Sequence, residues 1–174
     1  TRGNLPDPLA PVSRFLDANP DDQIARLFLA QSYQLQERPA EAAVHYERLL
    51  QINPDNAIAL NNLAWLLVEQ GDPRALEVAT SAYTLLPDNG SIGDTYGWIL
   101  LKSGRVDEAT KVLHKAADTM PDNPEIHYHL AVALDSSGKG EDALDILQRI
   151  VASDKDFASR QAAVELMDKV RSNL

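Results

Sequence analysis

The chain has 174 residues, of which 44% are hydrophobic and 24% charged, with a formal net charge of −10 and no cysteine. This composition excludes wholesale disorder, a disulfide framework, a thiolate metal site and a cysteine nucleophile. The acidic balance argues against nucleic acid and anionic membrane surfaces as partners, and no apolar run approaches the ~20 residues of a membrane span.

A turn sequence recurs four times at nearly constant spacing. Its prolines are 34, 33 and 34 residues apart, at Pro20, Pro54, Pro87 and Pro121. Because proline lacks an N–H and disfavours helical geometry before it, each proline ends one helix. The side chain two residues later can accept hydrogen bonds from the free N–H groups of the next helix. The period therefore predicts four helices capped by Asp22, Asn56, Asn89 and Asn123.

A second break divides each period after about fifteen residues. Glycine is the residue best suited to a left-handed helix end, and it occurs here at Gly71, Gly104 and Gly138. Glu37 takes this place in the first period, so we expect that turn to be built differently. A second helix follows each break, and the period predicts pairs of helices.

Small residues recur at one place in each helix of the pair. The first helices carry Ala30, Ala64, Gly97 and Ala131, and the second helices carry Ala42, Ala75, Ala109 and Ala143. Two helices approach closely only where their contact points lack bulk, so these positions are predicted to be helix crossings.

This pattern resembles the tetratricopeptide repeat. The resemblance implies an all-α protein, a right-handed α-solenoid of about four helix pairs with a partial N-terminal helix and a C-terminal capping helix. The predicted segments are 1–22 (a partial preceding repeat with its second helix only), 23–56, 57–89, 90–123, 124–156 and 157–174 (the capping helix). We expect a longer array before this segment and a natural C-terminus at residue 174.

Enzyme signatures are largely missing from the sequence. His127 and His129 are two residues apart on a predicted helix, so they point in different directions and cannot share a metal ion. The run from Ser136 to Gly140 lacks the first glycine of a phosphate-binding loop and follows no strand. We expect no catalytic residue, no metal and no cofactor.

Binding is the function that the resemblance implies, on a concave groove lined by the first helix of each pair. Carried over from the family's groove positions, the candidate partner-binding residues are Gln31, Asn61, Asn62, Trp65, Asp94, Thr95, Trp98, Tyr128 and His129. Both tryptophans fall at the same repeat position. They are either aromatic anchors for a partner or packing residues that stiffen the array.

The expected partner is a neutral or basic protein or peptide. Family members that hold acidic chaperone tails use Lys, Asn and Arg at groove positions where this chain has Phe28, Asn62, Thr95 and His129. Asp94 and Glu125 would repel such a carboxylate tail. Two alternatives stay open: a self-assembly module of a longer array, with homo-association, and a regulatory domain of a larger enzyme.

A narrower resemblance rests on the runs 61–66, 71–77, 94–98 and 127–131. They are similar to the C-terminal repeats of tetratricopeptide proteins encoded with bacterial exosortase/PEP-CTERM exopolysaccharide systems. This resemblance implies a scaffold for polysaccharide or protein export, periplasmic or attached to the cell envelope. A cytoplasmic location stays open.

Overall fold

The computed structural model describes residues 7–174, and all regular secondary structure in that range is α-helical. The chain divides into two compact units, residues 1–78 and 79–174. The helices are α1 (Ala10–Ala18), α2 (Gln23–Leu35), α3 (Pro39–Ile52), α4 (Ala57–Glu69), α5 (Ala75–Leu85), α6 (Gly90–Lys102), α7 (Val106–Thr119), α8 (Pro124–Ser136), α9 (Gly140–Ala152) and α10 (Arg160–Asn173).

In the first unit the helices pack in chain order. Helix α2 packs on α3, α1 packs on α2, and α4 packs on α3. Ala30 of α2 and Ala42 of α3 are both fully buried, as expected where two helices lie close together. Larger buried side chains, Leu29, Tyr46 and Leu49, fill the remaining core.

The second unit repeats this packing. Helix α6 pairs with α7, α8 pairs with α9, and the helices that begin each pair also contact each other. At the crossing of α6 and α7, a Cβ added to Gly97 would lie 2.6 Å from Cγ of Leu113. A glycine is therefore required for the two helices to pack this closely.

The four predicted helix caps are confirmed. The side-chain oxygens of Asp22, Asn56 and Asn89 accept hydrogen bonds at 2.8, 3.0 and 3.1 Å from the backbone N–H groups three residues ahead. Asn123 accepts in the same way from the N–H groups of Glu125 and Ile126. Each cap satisfies donors that have no partner within their helix.

The expectation for the Glu37 turn is wrong. Glu37 has a φ of 56°, close to the values of 68°, 78° and 77° at Gly71, Gly104 and Gly138. In all four turns, the residue that follows this position donates its backbone N–H to the carbonyl five residues earlier. In the first turn, for example, Arg38 donates to Tyr33 at 2.9 Å. The guanidinium of Arg38 also lies 4.4 Å from the centre of the Tyr33 ring, a cation–π contact that supports the turn. Hydrogen bonding thus holds Glu37 in a backbone conformation that glycine adopts more easily.

The predicted fold class is confirmed: the protein is all-α and is built from repeated helix pairs. Each segment predicted between residues 23 and 156 contains two helices, and the segment 157–174 contains α10. Of the predicted partial repeat 1–22, residues 1–6 lie outside the described range, and the remainder contains α1.

Candidate functional site: the faces of the first helices

In the first unit, hydrogen bonds order the amide side chains on α2 and α4. The Tyr46 hydroxyl donates to Oε1 of Gln34 at 2.9 Å and accepts from Nδ2 of Asn62 at 3.0 Å. Nδ2 of Asn61 lies 3.4 Å from Oδ1 of Asn62. Burial raises the pKa of Tyr46, so its hydroxyl keeps its proton and remains a donor at neutral pH. The predicted residues Asn61 and Asn62 therefore belong to one ordered polar chain.

Asn61 carries an unused acceptor. Its Oδ1 is buried and has no hydrogen-bond partner within the described residues. Gln31, also predicted for the site, is exposed on α2, and Trp65 is half-buried on α4. The predicted residues of the first unit therefore lie on two of its helices, Gln31 on α2 and Asn61, Asn62 and Trp65 on α4.

Large apolar side chains are exposed on the same helices. Ile24 and Leu35 of α2 are 83% and 87% exposed, and Ile58 of α4 is 51% exposed. All three occupy repeat positions that line the groove in the family. None of the three was among the predicted site residues, because an isoleucine or leucine on a helix usually belongs to the core.

In the second unit, a buried histidine links two helices. Nδ1 of His129 on α8 lies 2.7 Å from Oδ1 of Asp94 on α6, and His129 is 2% exposed. An ionised carboxylate only accepts hydrogen bonds, so Nδ1 of His129 is the donor. Nε2 of the same ring lies 3.8 Å from Oε1 of Glu125. The predicted residues Asp94 and His129 thus meet directly, with Glu125 as an additional neighbour.

Trp98 is held in place by its neighbours. Its ring stacks on His129 with the ring centres 4.2 Å apart and the planes 26° from parallel. Nζ of Lys102, one turn further along α6, lies 4.4 Å from the centre of the Trp98 ring. Tyr128 tilts against His129 at 5.8 Å between ring centres. Trp98 and Tyr128 remain half-buried, so part of each ring faces solvent.

The last helix joins this network. Glu125 accepts hydrogen bonds from the backbone N–H of Ser159 at 3.1 Å and from the Ser159 hydroxyl. Nζ of Lys169 pairs with Oδ2 of Asp135 at 3.1 Å. Both pairs are 34 residues apart, so α10 stacks on α8 in the register of one full repeat. Neither Glu125 nor Ser159 was among the predicted site residues, because the contact joins segments distant in the sequence.

The predicted residues differ in how accessible they are. Thr95 is buried and donates its hydroxyl hydrogen to the carbonyl of Ser91. Burial raises the pKa of Tyr128, and the charges of Glu125 and Glu165 raise it further, so its phenol is neutral at physiological pH. Thr95 and His129 support the surface from below, whereas Trp98 and Tyr128 form part of it.

Within residues 7–174, no group of three or more His, Cys, Asp or Glu side chains has an arrangement that could hold a metal ion. None of the helices described there is both long and apolar enough to cross a membrane.

The sequence profile of the family described as Tetratricopeptide repeat matches residues 33–75 and 100–167. The chain belongs to the tetratricopeptide repeat family. Proteins of this family are generally non-catalytic scaffolds for protein–protein interaction.

A curated relative is the TPR repeat-containing protein PA4667 of Pseudomonas aeruginosa. It is 37% identical over 81 residues, which are 44% of this chain and 13% of that protein. The similarity therefore concerns a small part of the Pseudomonas protein.

Solved structures share the fold over nearly the whole chain. PilW, a type IV pilus biogenesis factor, superposes with a TM-score of 0.73 and 19% identity, covering 95% of this chain and 82% of PilW. YrrB, a tetratricopeptide protein with an unusual peptide-binding site, gives a TM-score of 0.71 and 21% identity, covering 94% and 81%. At these identities the likeness shows the fold alone.

Proposed function

We propose that this chain is a non-catalytic interaction module that binds a peptide or a segment of a partner protein on its first-helix faces. The observation that carries the proposal is the exposure of Ile24, Leu35 and Ile58 at groove positions, between 51% and 87%. Large apolar side chains left exposed along the faces of neighbouring-repeat helices typically mark a binding surface. The peptide-binding site of YrrB, a protein of the same fold, adds support.

In the first unit, the surface suits an uncharged segment of the partner. Helices α2 and α4 contain only two charged residues, Arg26 and Glu69. Gln31, Asn61 and Asn62 offer amide groups that can hydrogen-bond to a peptide backbone, while Trp65 and the exposed aliphatic residues bury apolar side chains. The unused acceptor of Asn61 is buried, so it would take a backbone N–H from the partner only after the side chain changes its rotamer.

In the second unit, the surface suits a neutral or basic segment. The rings of Trp98 and Tyr128 lie beside the carboxylates of Asp94 and Glu125. Carboxylates attract lysine and arginine side chains and repel an acidic tail, and the exposed part of the Tyr128 ring can also contact a cation. The Trp98 ring already contacts Lys102, so it offers a partner mainly apolar area. Thr95 and His129 contribute indirectly, because they fix the positions of the exposed groups.

A role in the cell envelope is supported by the sequence runs 61–66, 71–77, 94–98 and 127–131. These runs are similar to export-associated tetratricopeptide proteins. We propose that the partner is a component of a bacterial polysaccharide or protein export system. Fractionation of the native host would find the protein in the periplasm or envelope. A purely cytoplasmic protein would contradict this part of the proposal.

The binding proposal is tested by cross-linking pull-down from the native host. Trp65→Ala with Trp98→Ala should reduce the captured partner by at least about tenfold, since aromatic anchors carry much of the binding free energy. A second variant, Leu35→Ser with Ile58→Ser, changes only exposed side chains and should give a similar loss without unfolding.

The matched control is Val44→Ala, which removes an apolar side chain that is 63% exposed on a second helix, α3. We expect it to capture the partner as the wild type does. Unchanged capture by both folded groove variants would show that the partner binds elsewhere. If capture is unchanged and light scattering shows that the purified wild type associates with itself as its concentration rises, the chain is a self-assembly module.

A further inference from the structure

An open apolar groove lies between α1 and α2 in the first unit. It has a volume of about 520 Å³, and its apolar walls are Pro11, Val12, Phe15, Ile24, Ala25 and Phe28. Phe15 is 47% exposed and Phe28 is 53% exposed. Exposing phenylalanine rings to water raises the free energy, so another apolar surface packed on this groove would stabilise the protein.

The repeats themselves show that these positions on α1 are normally covered. In successive steps of 34, 33, 34 and 34 residues, Val12 corresponds to Tyr46, Ala79, Leu113 and Leu147, and Phe15 corresponds to Leu49, Ala82, Ala116 and Ile150. All eight of these equivalents are between 0% and 5% exposed. In α1, by contrast, Val12 is only half-buried and Phe15 is 47% exposed.

The same comparison holds for α2. Ala25 corresponds to Ala59, Ile92 and Ile126, which are between 0% and 4% exposed. Phe28 corresponds to Asn62, which is half-buried, and to Thr95 and His129, which are 6% and 2% exposed. The positions of Val12, Phe15, Ala25 and Phe28 are therefore more buried in the later repeats, whereas the position of Ile24 stays exposed there, at Ile58 and Ser91.

The second unit shows what provides the cover. His129, the equivalent of Phe28, is covered by Asp94 and Trp98 of the preceding first helix, α6. Leu113, the equivalent of Val12, packs against Gly97 of that same helix. One first helix thus covers both the second helix of its own pair and the first helix of the next pair.

We propose that the groove between α1 and α2 is the seat of an amphipathic helix of the first-helix type, which forms a complete pair with α1. By analogy with Gly97 against Leu113, this helix carries a small residue opposite Val12. By analogy with Trp98 against His129, it carries a large apolar or aromatic residue over Phe28. This seat shares Ile24 with the partner-binding face of the first unit, whereas Leu35 and Ile58 of that face lie outside the seat.

The sequence assigns this helix to the same polypeptide, N-terminal to α1. One period before Glu37 stands Gly3, in the series that continues with Gly71, Gly104 and Gly138. Within residues 7–174, the chain turns between the two helices of a pair at this repeat position. The terminal helix α10 of a second copy is a poor source, because its exposed residues are polar, among them Gln161, Glu165, Asp168 and Arg171.

The test extends the chain with its own sequence. A copy of residues 56–70, which contain α4 and its cap, replaces Thr1 and Arg2 so that the copy joins Gly3 as the original joins Gly71. If the copy fills the groove, the melting temperature rises by about 5 °C or more. Amide hydrogen exchange in α1 slows by at least about tenfold.

Two controls separate seating from a general effect of the extension. The same extension with Leu63→Asp and Leu67→Asp in the copied segment, or with Phe28→Asp in the groove, should give neither change. Equal melting temperatures and equal α1 exchange with and without the intact copy would overturn the proposal. It would also be overturned if the unextended chain sediments as a dimer that Phe28→Asp dissociates, since a second copy would then fill the groove. Neither result affects the pull-down test of Trp65 and Trp98.

Discussion

At the scale of single residues, Gly97 determines how closely α6 and α7 pack. Leu113 is fully buried beneath it, so its side chain has little room to move away from an added methyl group. Two effects oppose each other in Gly97→Ala. Alanine favours the helix by about 1 kcal/mol, whereas overpacking a core costs about 1–3 kcal/mol.

We predict that overpacking dominates and that Gly97→Ala lowers the free energy of unfolding by about 1 kcal/mol. Urea denaturation measures this change. The matched control is Gly140→Ala in α9, where the nearest atom would lie at an ordinary contact distance of 3.4 Å. This control should be neutral or slightly stabilising. Equal behaviour of the two variants would mean that the crossing tolerates a side chain.

His45 is the residue from which we expect a pH dependence. Burial lowers its pKa from 6.5, and the charge of Arg26 lowers it further. The guanidinium of Arg26 lies 3.5 Å from Nδ1 of His45, so protonation would bring two cations together. The unfolded chain therefore binds the proton more readily than the folded chain does.

It follows that His45 favours folding above its unfolded pKa and that this stability is lost as the pH falls. The free energy of unfolding of the wild type should decrease between about pH 7 and pH 5, and His45→Gln should show a smaller decrease. Urea denaturation at several pH values measures both. Parallel pH profiles of the two proteins would exclude a contribution from His45.

At the scale of helices, the turns and the last helix depend on different kinds of interaction. The turn at Glu37 depends on local backbone hydrogen bonds, which is why it adopts the same conformation as the glycine turns. Helix α10 depends on a non-local contact, because Glu125 of α8 accepts both hydrogen bonds from Ser159, just before α10 begins. Glu125 thus takes the role of a helix cap from another helix.

We predict that Glu125→Ala loosens α10 selectively. Removal of the acceptor should increase amide hydrogen exchange in the first turns of α10 by about tenfold, with little change in α6. Mass spectrometry of exchanged peptides resolves the two helices. Glu141→Ala, which changes an exposed acidic residue in the first turn of α9, is the matched control. Uniform acceleration in α6 and α10 would show that Glu125 stabilises the whole unit instead.

At the scale of the molecule, the two units carry chemically different first-helix faces. The first-helix face of the first unit is apolar and amide-rich, whereas that of the second unit carries aromatic rings next to carboxylates. The overall charge of −10 agrees with the neutral or basic partner that we propose.

The sequence by itself determined the helix pairs, the caps and the repeat positions. These features arise from interactions between residues close in the chain, such as Asn56 with the N–H of Ala59. Proline, glycine and the small residues record such local constraints in the order of the amino acids. The family follows from the same periodic record, and the expected groove positions are what the resemblance to that family implies.

Only the tertiary structure decided which of the groove residues are accessible and which are occupied by one another. Asp94 and His129, 35 residues apart, form a hydrogen bond, and Trp98 stacks on that histidine. The exposure of Ile24 and Phe28 likewise depends on which helices lie beside them. The physical reason is that burial and hydrogen-bond pairing are properties of the packed chain, and a repeat pattern gives each side chain a position but no neighbours.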